Sequence, residues 1–199
     1  MKRMREGDRL NLEGIRFLLV DDIAHALKIM EQVVSGFGVR NIVKADSAGA
    51  AKEAINRGGI DVVLTDAQMP GETGYELTEW IRLEAPESER YLPVVIITGH
   101  TPESDVTKGR DLGANFTIAK PLVPRVLLQR LFWLSHEDRQ FIQSDAYTGP
   151  DRRFKRLGAP YGIDGRRSGD LKAAVREASE PNPDQDQINP AMKPEKVVL

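Results

Sequence analysis

Carboxylates, a hydroxyl and an amine recur at one kind of place in this chain. Asp21 and Asp22 follow the apolar run from Ile15 to Val20, Asp66 follows the run from Val62 to Leu64, Thr98 follows Val94 to Ile97, and Lys120 follows Phe116 to Ile118. An aspartate carboxylate can attack phosphorus and hold the phosphoryl group as a mixed anhydride, provided a cation first brings the two anions together. Mg2+ takes oxygen ligands and bridges carboxylate to phosphate, so Asp21, Asp22 and Asp66 suit it better than they suit zinc or calcium. Lys120 would offer the phosphoryl oxygens a fixed positive charge, and Thr98 a hydroxyl donor.

Residues so far apart in sequence can meet only if the chain delivers them to one edge. Short β-branched runs separated by helical stretches read as parallel strands buried on both faces, and such strands all end on the same side of the sheet. The pattern alternates five times. Strands are expected at Ile15–Val20, Asn41–Ala45, Ile60–Thr65, Pro93–Ile97 and Phe116–Ile118. Between them lie an amphipathic helix from Ile23 to Phe37, an alanine-rich helix capped by Ser47, and a helix carrying Leu77, Trp80 and Ile81. The fourth helix, Glu103 to Leu112, is poor by propensity because it contains Gly109 and few apolar anchors. The fifth repeats Val123, Val126, Leu127, Arg130, Leu131 and Leu134. This alternation predicts a right-handed, doubly wound α/β sheet with its ligand crevice at the carboxyl ends of the strands.

Taken singly, each motif has an ordinary structural explanation: a helix cap for Asp21-Asp22, a turn for Thr98, a loop for Lys120-Pro121. Together, in this order, they resemble the receiver domains of two-component response regulators. The matching residues are Asp21-Asp22, then Leu64-Thr65-Asp66-Ala67-Gln68-Met69-Pro70 with Gly74, then Thr98-Gly99, Gly113-Ala114 and Lys120-Pro121. The resemblance implies a flavodoxin-like five-stranded sheet of order 2-1-3-4-5 with five helices, and Asp66 as phosphoacceptor. It implies that Asp22, Asp66 and the backbone carbonyl of Gln68 hold Mg2+ directly, with Asp21 acting largely through water. Gly99 would leave room for the donor, and Pro121 would follow a cis peptide, the one bond type in which cis costs little. His100 and Gln68 would border the path of an attacking water. One departure stands out: where the family carries an aromatic switch residue this chain has Thr117, and Phe116, one residue earlier, faces the other side of its strand.

The resemblance covers residues 13–136, leaving 1–12 as an N-terminal extension, 137–170 as an arginine- and tyrosine-rich extension, and 171–199 as a tail whose composition reads as disordered. The middle segment carries a loose repeat, Tyr147-Thr-Gly-Pro-Asp-Arg152-Arg153 and Tyr161-Gly-Ile-Asp-Gly-Arg166-Arg167. Its arginines could grip phosphate or carboxylate, or dock on exposed acids such as Glu72, Glu76 and Glu79. Net charge is −2 with a pI near 6.0, so the whole chain has no polyanion-binding footprint, and the absence of cysteine excludes disulfides and thiolate metal sites. His25, His100 and His136 lack metal-ligand spacing. No stretch reads as a signal peptide or membrane span, which points to the cytoplasm.

Three classes of function fit these residues. The first is a phosphorylation-dependent regulator that takes a phosphoryl group from a histidine kinase or phosphotransfer protein. It would act through contact with a downstream protein of unknown identity, without a DNA-binding output domain, and catalyse only its own phosphorylation and dephosphorylation. The second is a Mg2+-dependent phosphatase of the haloacid-dehalogenase type, although those enzymes place the nucleophile after the first strand with a second aspartate two residues on. The third is a nucleic-acid-binding adaptor using the basic extension, whose binding would be steeply salt-dependent. Leu128, Phe132 and Trp133 add apolar residues to the fifth helix beyond one buried stripe, which suggests a phosphorylation-dependent homodimer.

Overall fold

The apolar runs are β-branched and too short for helices, and they form five parallel strands. The computed structural model of the chain describes residues 10–99, 103–135, 141–144 and 147–151. The chain divides into two compact units, and all of these residues belong to the one spanning Lys2–Arg152. In chain order they form β1 (Arg16–Val20), α1 (Ala24–Gly36), β2 (Asn41–Ala45), α2 (Ala48–Asn56), β3 (Val62–Asp66), α3 (Gly74–Leu83), β4 (Val94–Thr98), α4 (Glu103–Asp111), β5 (Phe116–Ala119) and α5 (Pro124–Ser135). The sheet order is β2-β1-β3-β4-β5, every pair parallel, as the alternation and the resemblance implied.

Two boundaries differ from expectation in a way that bears on the site. Asp66 and Thr98 are the last residues of β3 and β4 rather than the first of the following loops. The ladder carries them: Asp66 is in register with Ile97, and the Ala67 N–H donates to the Ile97 carbonyl at 2.7 Å. A strand-end side chain held by ladder pairing is better positioned than one in a loop.

Alternate strand residues pack two ways. Leu18, Val20, Val63, Val94 and Ile96 join Ala51, Ile55, Tyr75, Leu77 and Ile81 in one core, while Phe116 packs against Trp133 of α5 with ring centroids 6.0 Å apart. Ser47 caps α2 by accepting from the Ala50 N–H, as its sequence position suggested. Among the described residues no helix is long and apolar enough to cross a membrane.

Beyond α5 the chain forms an antiparallel hairpin of β6 (Phe141–Ser144) and β7 (Tyr147–Pro150), within the segment expected as an arginine- and tyrosine-rich extension. The start of the first repeat unit, Tyr147 to Pro150, is therefore a strand; Arg152 and all that follows it lie outside the described residues. The hairpin packs at the end of the sheet remote from Asp66. Phe141 meets Tyr91 edge-on at 5.2 Å and lies against the Arg82 guanidinium at 5.1 Å. Arg82 is buried and donates to the carbonyls of Gly113 and Arg90 and to Asn115 Oδ1. Burial lowers its pKa to about 9, with Tyr147 opposing the shift, so it stays charged at neutral pH.

The contact depends on facing glycines. A Cβ at Gly113, where φ is +91°, would lie 2.5 Å from the Thr148 carbonyl oxygen, and one at Gly149 would lie 2.7 Å from the Gly113 α-carbon. Gly113→Ala is therefore expected to cost roughly 1–3 kcal/mol in urea unfolding, from backbone strain and displacement of β7. In a chain lacking residues 141–151 the same substitution should cost measurably less, because only the strain remains. Equal costs in both backgrounds would show that the hairpin contact contributes nothing.

Two of the three residues that suggested a homodimer through α5 lie inside the unit, whereas Leu128 is partly exposed. Phe132 and Trp133 are buried, so they are not the surplus exposed apolar residues that suggested a homodimer. Arg130, which follows the apolar period of α5, is fully buried as well. Among the described residues its guanidinium has no hydrogen-bond partner, and it lies 4.3 Å from the Trp133 ring and 5.5 Å from that of Phe116. Contact with two aromatic rings offsets part of its desolvation.

Candidate functional site

Asp21, Asp22, Asp66 and Lys120 meet at the carboxyl edge of the sheet. One carboxylate oxygen from each aspartate lies within 4.8 Å of the others. Lys120 Nζ reaches back from the end of β5 to Asp66 Oδ1 at 2.7 Å and Asp21 Oδ2 at 3.3 Å. Asp21 is 1% exposed and Asp66 5%, whereas Asp22 is exposed at the rim. The burial gradient leaves one open side from which a donor could approach.

Backbone pairing fixes each of these groups. Asp21 follows β1 with its N–H on the Ala45 carbonyl, and its Oδ1 accepts from the Ile23 N–H at 2.9 Å. The Lys120 N–H donates to the Thr98 carbonyl at 2.7 Å, which ties the ends of β4 and β5 together. The Lys120–Pro121 peptide is cis, as expected. Thr98 is buried at the end of β4, and open space lies beside the α-carbon of Gly99. Gln68 is exposed in the loop after Asp66. His100 lies outside the described residues.

The loop from Ala67 to Thr73 is clamped at its far end. Gly74 starts α3 rather than merely closing the loop, with its N–H on the Ala67 carbonyl. A Cβ there would sit 1.9 Å from the Asp66 carbonyl oxygen, so only glycine fits. Thr73 and Glu76 form a reciprocal cap, which holds Glu76 below the usual carboxylate range through the Thr73 backbone N–H first and then its hydroxyl. Glu72 pairs with Lys52 of α2 at 2.5 Å, and the same ammonium lies over the Trp80 ring. Glu72 and Glu76, suggested above as docking points for the basic extension, are therefore already engaged. Sequence reading missed the Lys52–Glu72 link because nothing local joins a position on α2 to one in the loop after β3.

The charge balance leaves room for a cation. Burial raises the Asp21 pKa and the nearby Asp66 charge adds to this, against the Ile23 N–H and Lys120, which lower it. For Lys120, burial disfavours the charge, but the hydrogen bond and attraction to Asp66, and then Asp21, hold the ammonium above its ordinary pKa. Three hard oxygen donors and a single lysine fit a small divalent ion that keeps several waters. Because the folded-state pKa of Asp21 is raised, this group adds stability only as pH falls through that pKa and detracts from it at neutral pH. Asp21→Asn keeps the acceptor for Ile23 and removes the charge. Without added divalent cation it should raise the melting temperature by about 2–4 °C, equivalent to roughly 1 kcal/mol for a unit of this size. With millimolar Mg2+ the wild type should gain more than the variant; a lower melting temperature for Asp21→Asn without cation would show that its carboxylate is net stabilising.

Thr117 is not part of this cluster. It is buried on the face of β5 that meets α4, where a Cβ on Gly109 would lie 2.6 Å from its Oγ1. Phe116 points to the opposite face, as alternation required.

Known proteins resemble this chain in sequence and fold. A family model described as the response regulator receiver domain matches residues 17–132. The chain is 30% identical over 119 residues to the chemotaxis protein CheY-3 of Vibrio cholerae, covering 60% of this chain and 90% of that one. It is 28% identical over 117 residues to the chemotaxis protein CheY of Pseudomonas aeruginosa, covering 59% and 93%. Among solved structures, the CheX-CheY-BeF3-Mg2+ complex from Borrelia burgdorferi aligns with a TM-score of 0.55 at 26% identity, over 61% of this chain and 89% of that one.

Proposed function

This chain belongs to the response regulator receiver family, and from that premise we propose that it is a phosphorylation-dependent signalling regulator whose phosphoacceptor is Asp66. The observation that carries this reading is the meeting of Asp66 with Lys120 at 2.7 Å inside a cluster of three carboxylates at the carboxyl edge of the sheet. A carboxylate oxygen of Asp66 forms an O–P bond while the P–N bond of a donor phosphohistidine breaks, and the imidazole nitrogen takes up a proton. The product is an acyl phosphate. Asp21, Asp22, Asp66 and the Gln68 carbonyl are the groups that would hold Mg2+, which when bound neutralises charge between carboxylate and phosphoryl group. That the aligned Borrelia structure contains BeF3 and Mg2+ supports this assignment.

Lys120 orients the Asp66 carboxylate and then meets the charge on the transferred oxygens, with Thr98 as hydroxyl donor. Gly99 leaves the approach clear. A water entering past Gln68 and His100 would return Asp66 to its free form, so the only chemistry the chain performs is on itself. Its partners on this reading are a histidine kinase or phosphotransfer protein upstream and another protein downstream, all in the cytoplasm. The receiver domain would span residues 13–136, followed by an extension from 137 to 170 and a tail from 171 to 199. The phosphatase and nucleic-acid alternatives gain nothing from the family match, and the basic residues on which the second depends lie outside the described residues. Phosphotransfer profiling against histidine kinases tests the reading: rapid transfer from at least one kinase, with no turnover of a generic phosphate ester, is expected. Turnover of the ester without transfer from any kinase would favour the phosphatase.

A further inference from the structure

We propose that Tyr75, on α3, is the aromatic residue that passes the state of Asp66 to α4, taking the part that an aromatic at position 117 would otherwise play. The proposal rests on Asp66 being the phosphoacceptor. Tyr75 is 1% exposed and begins one residue after the point where α3 touches the site.

At the site end there is no slack. Gly74 lies so close to the Asp66 carbonyl that a Cβ would fall 1.9 Å from it, and the Thr65 hydroxyl donates to that same carbonyl at 3.0 Å. The Thr78 hydroxyl in turn donates to the Gly74 carbonyl at 2.7 Å, which locks the first turn of the helix. A shift of the Asp66 backbone therefore displaces the start of α3, and Tyr75 with it.

The far end of the ring meets α4 where that helix is thinnest. A Cβ on Gly109 would lie 3.6 Å from Tyr75 Cε1, 3.4 Å from Ile96 Cδ1 and 2.6 Å from Thr117 Oγ1. The Lys108 ammonium stands 4.6 Å from the Tyr75 ring centroid. Thr117 brings only a hydroxyl to this contact, and Phe116 is committed to Trp133 on the other face. Tyr75 thus joins a rigid contact at Asp66 to a helix whose interior glycine and sparse apolar anchors make it easy to displace.

The test uses the full chain as wild type, Tyr75→Leu and Tyr75→Phe, each with and without beryllofluoride and Mg2+. Amide hydrogen exchange is read on a peptide covering residues 107–112, and acetyl phosphate uptake is measured separately by intact mass. The expected result is a several-fold change in exchange for wild type and Tyr75→Phe, which both keep the ring. Tyr75→Leu should take up phosphoryl groups at a rate close to wild type yet lose most of the exchange change. Tyr75→Met replaces it if Tyr75→Leu fails to fold. An undiminished exchange response in the leucine or methionine variant, or no response in a fully modified wild type, overturns the role of Tyr75. Absence of any mass increase in the wild type instead overturns the assignment of Asp66, and the two failures are separately visible.

Discussion

Asp66→Ala is expected to reduce phosphoryl uptake from acetyl phosphate to background under conditions in which the wild type is fully modified. The reaction needs a carboxylate oxygen beside both the cation ligands and Lys120, and Asp66 is the carboxylate that Lys120 touches most closely. Asp21 is too enclosed to receive a donor, since it is 1% exposed and one of its oxygens is occupied by the Ile23 N–H. Asp22 is exposed, and the Lys120 ion pairs go to Asp66 and Asp21 rather than to it. The substitution also leaves Lys120 with Asp21 as its remaining ion-pair partner in the cluster. Intact mass over a time course gives the result directly, and labelling of Asp66→Ala at the wild-type rate would falsify the assignment.

Lys120→Met should slow uptake by roughly two orders of magnitude, the usual cost of removing one preorganised charge from a phosphoryl or oxyanion site. Methionine retains most of the apolar stem, so the fold should survive. Two carboxylates would then face each other without the ammonium that lies 2.7 Å from one and 3.3 Å from the other. Added Mg2+ should therefore stabilise this variant more than it stabilises the wild type. A rate within about threefold of wild type, less than 1 kcal/mol in transition-state energy, would mean that Lys120 serves only as a structural counter-ion.

The site was legible from sequence because parallel strands impose their geometry on it. Once Val62–Leu64 and Val94–Ile97 are read as strands with a common direction, Asp66 and Thr98 must arrive at the same edge, whatever their separation in the chain. The family resemblance supplied the strand order, and the structure has that order. Contacts that owe nothing to periodicity were not legible. Phe141-Ile-Gln-Ser and Tyr147-Thr-Gly-Pro are only four residues each, and the glycine and proline in the second read as breakers, so the hairpin was invisible.

Arg82 was hidden for a related reason. An arginine in a helix is expected at the surface, and the Arg82 acceptors at Gly113 and Asn115 lie on another element. Tyr75 carried a signal that was available but unused. It shares a helical face with Thr78 and Arg82, all buried, and the glycine before it marks a close backbone approach rather than a simple loop end.

The most direct measurement is peptide mapping of the acid-stable, hydroxylamine-labile adduct on the wild-type chain after acetyl phosphate treatment, with and without a chelator. One phosphoryl group is predicted, confined to the peptide carrying Asp66 and absent from the chelated sample. An adduct on any other residue, or an equal yield at Asp66 in the presence of chelator, contradicts the account of a cation-dependent aspartyl phosphoacceptor.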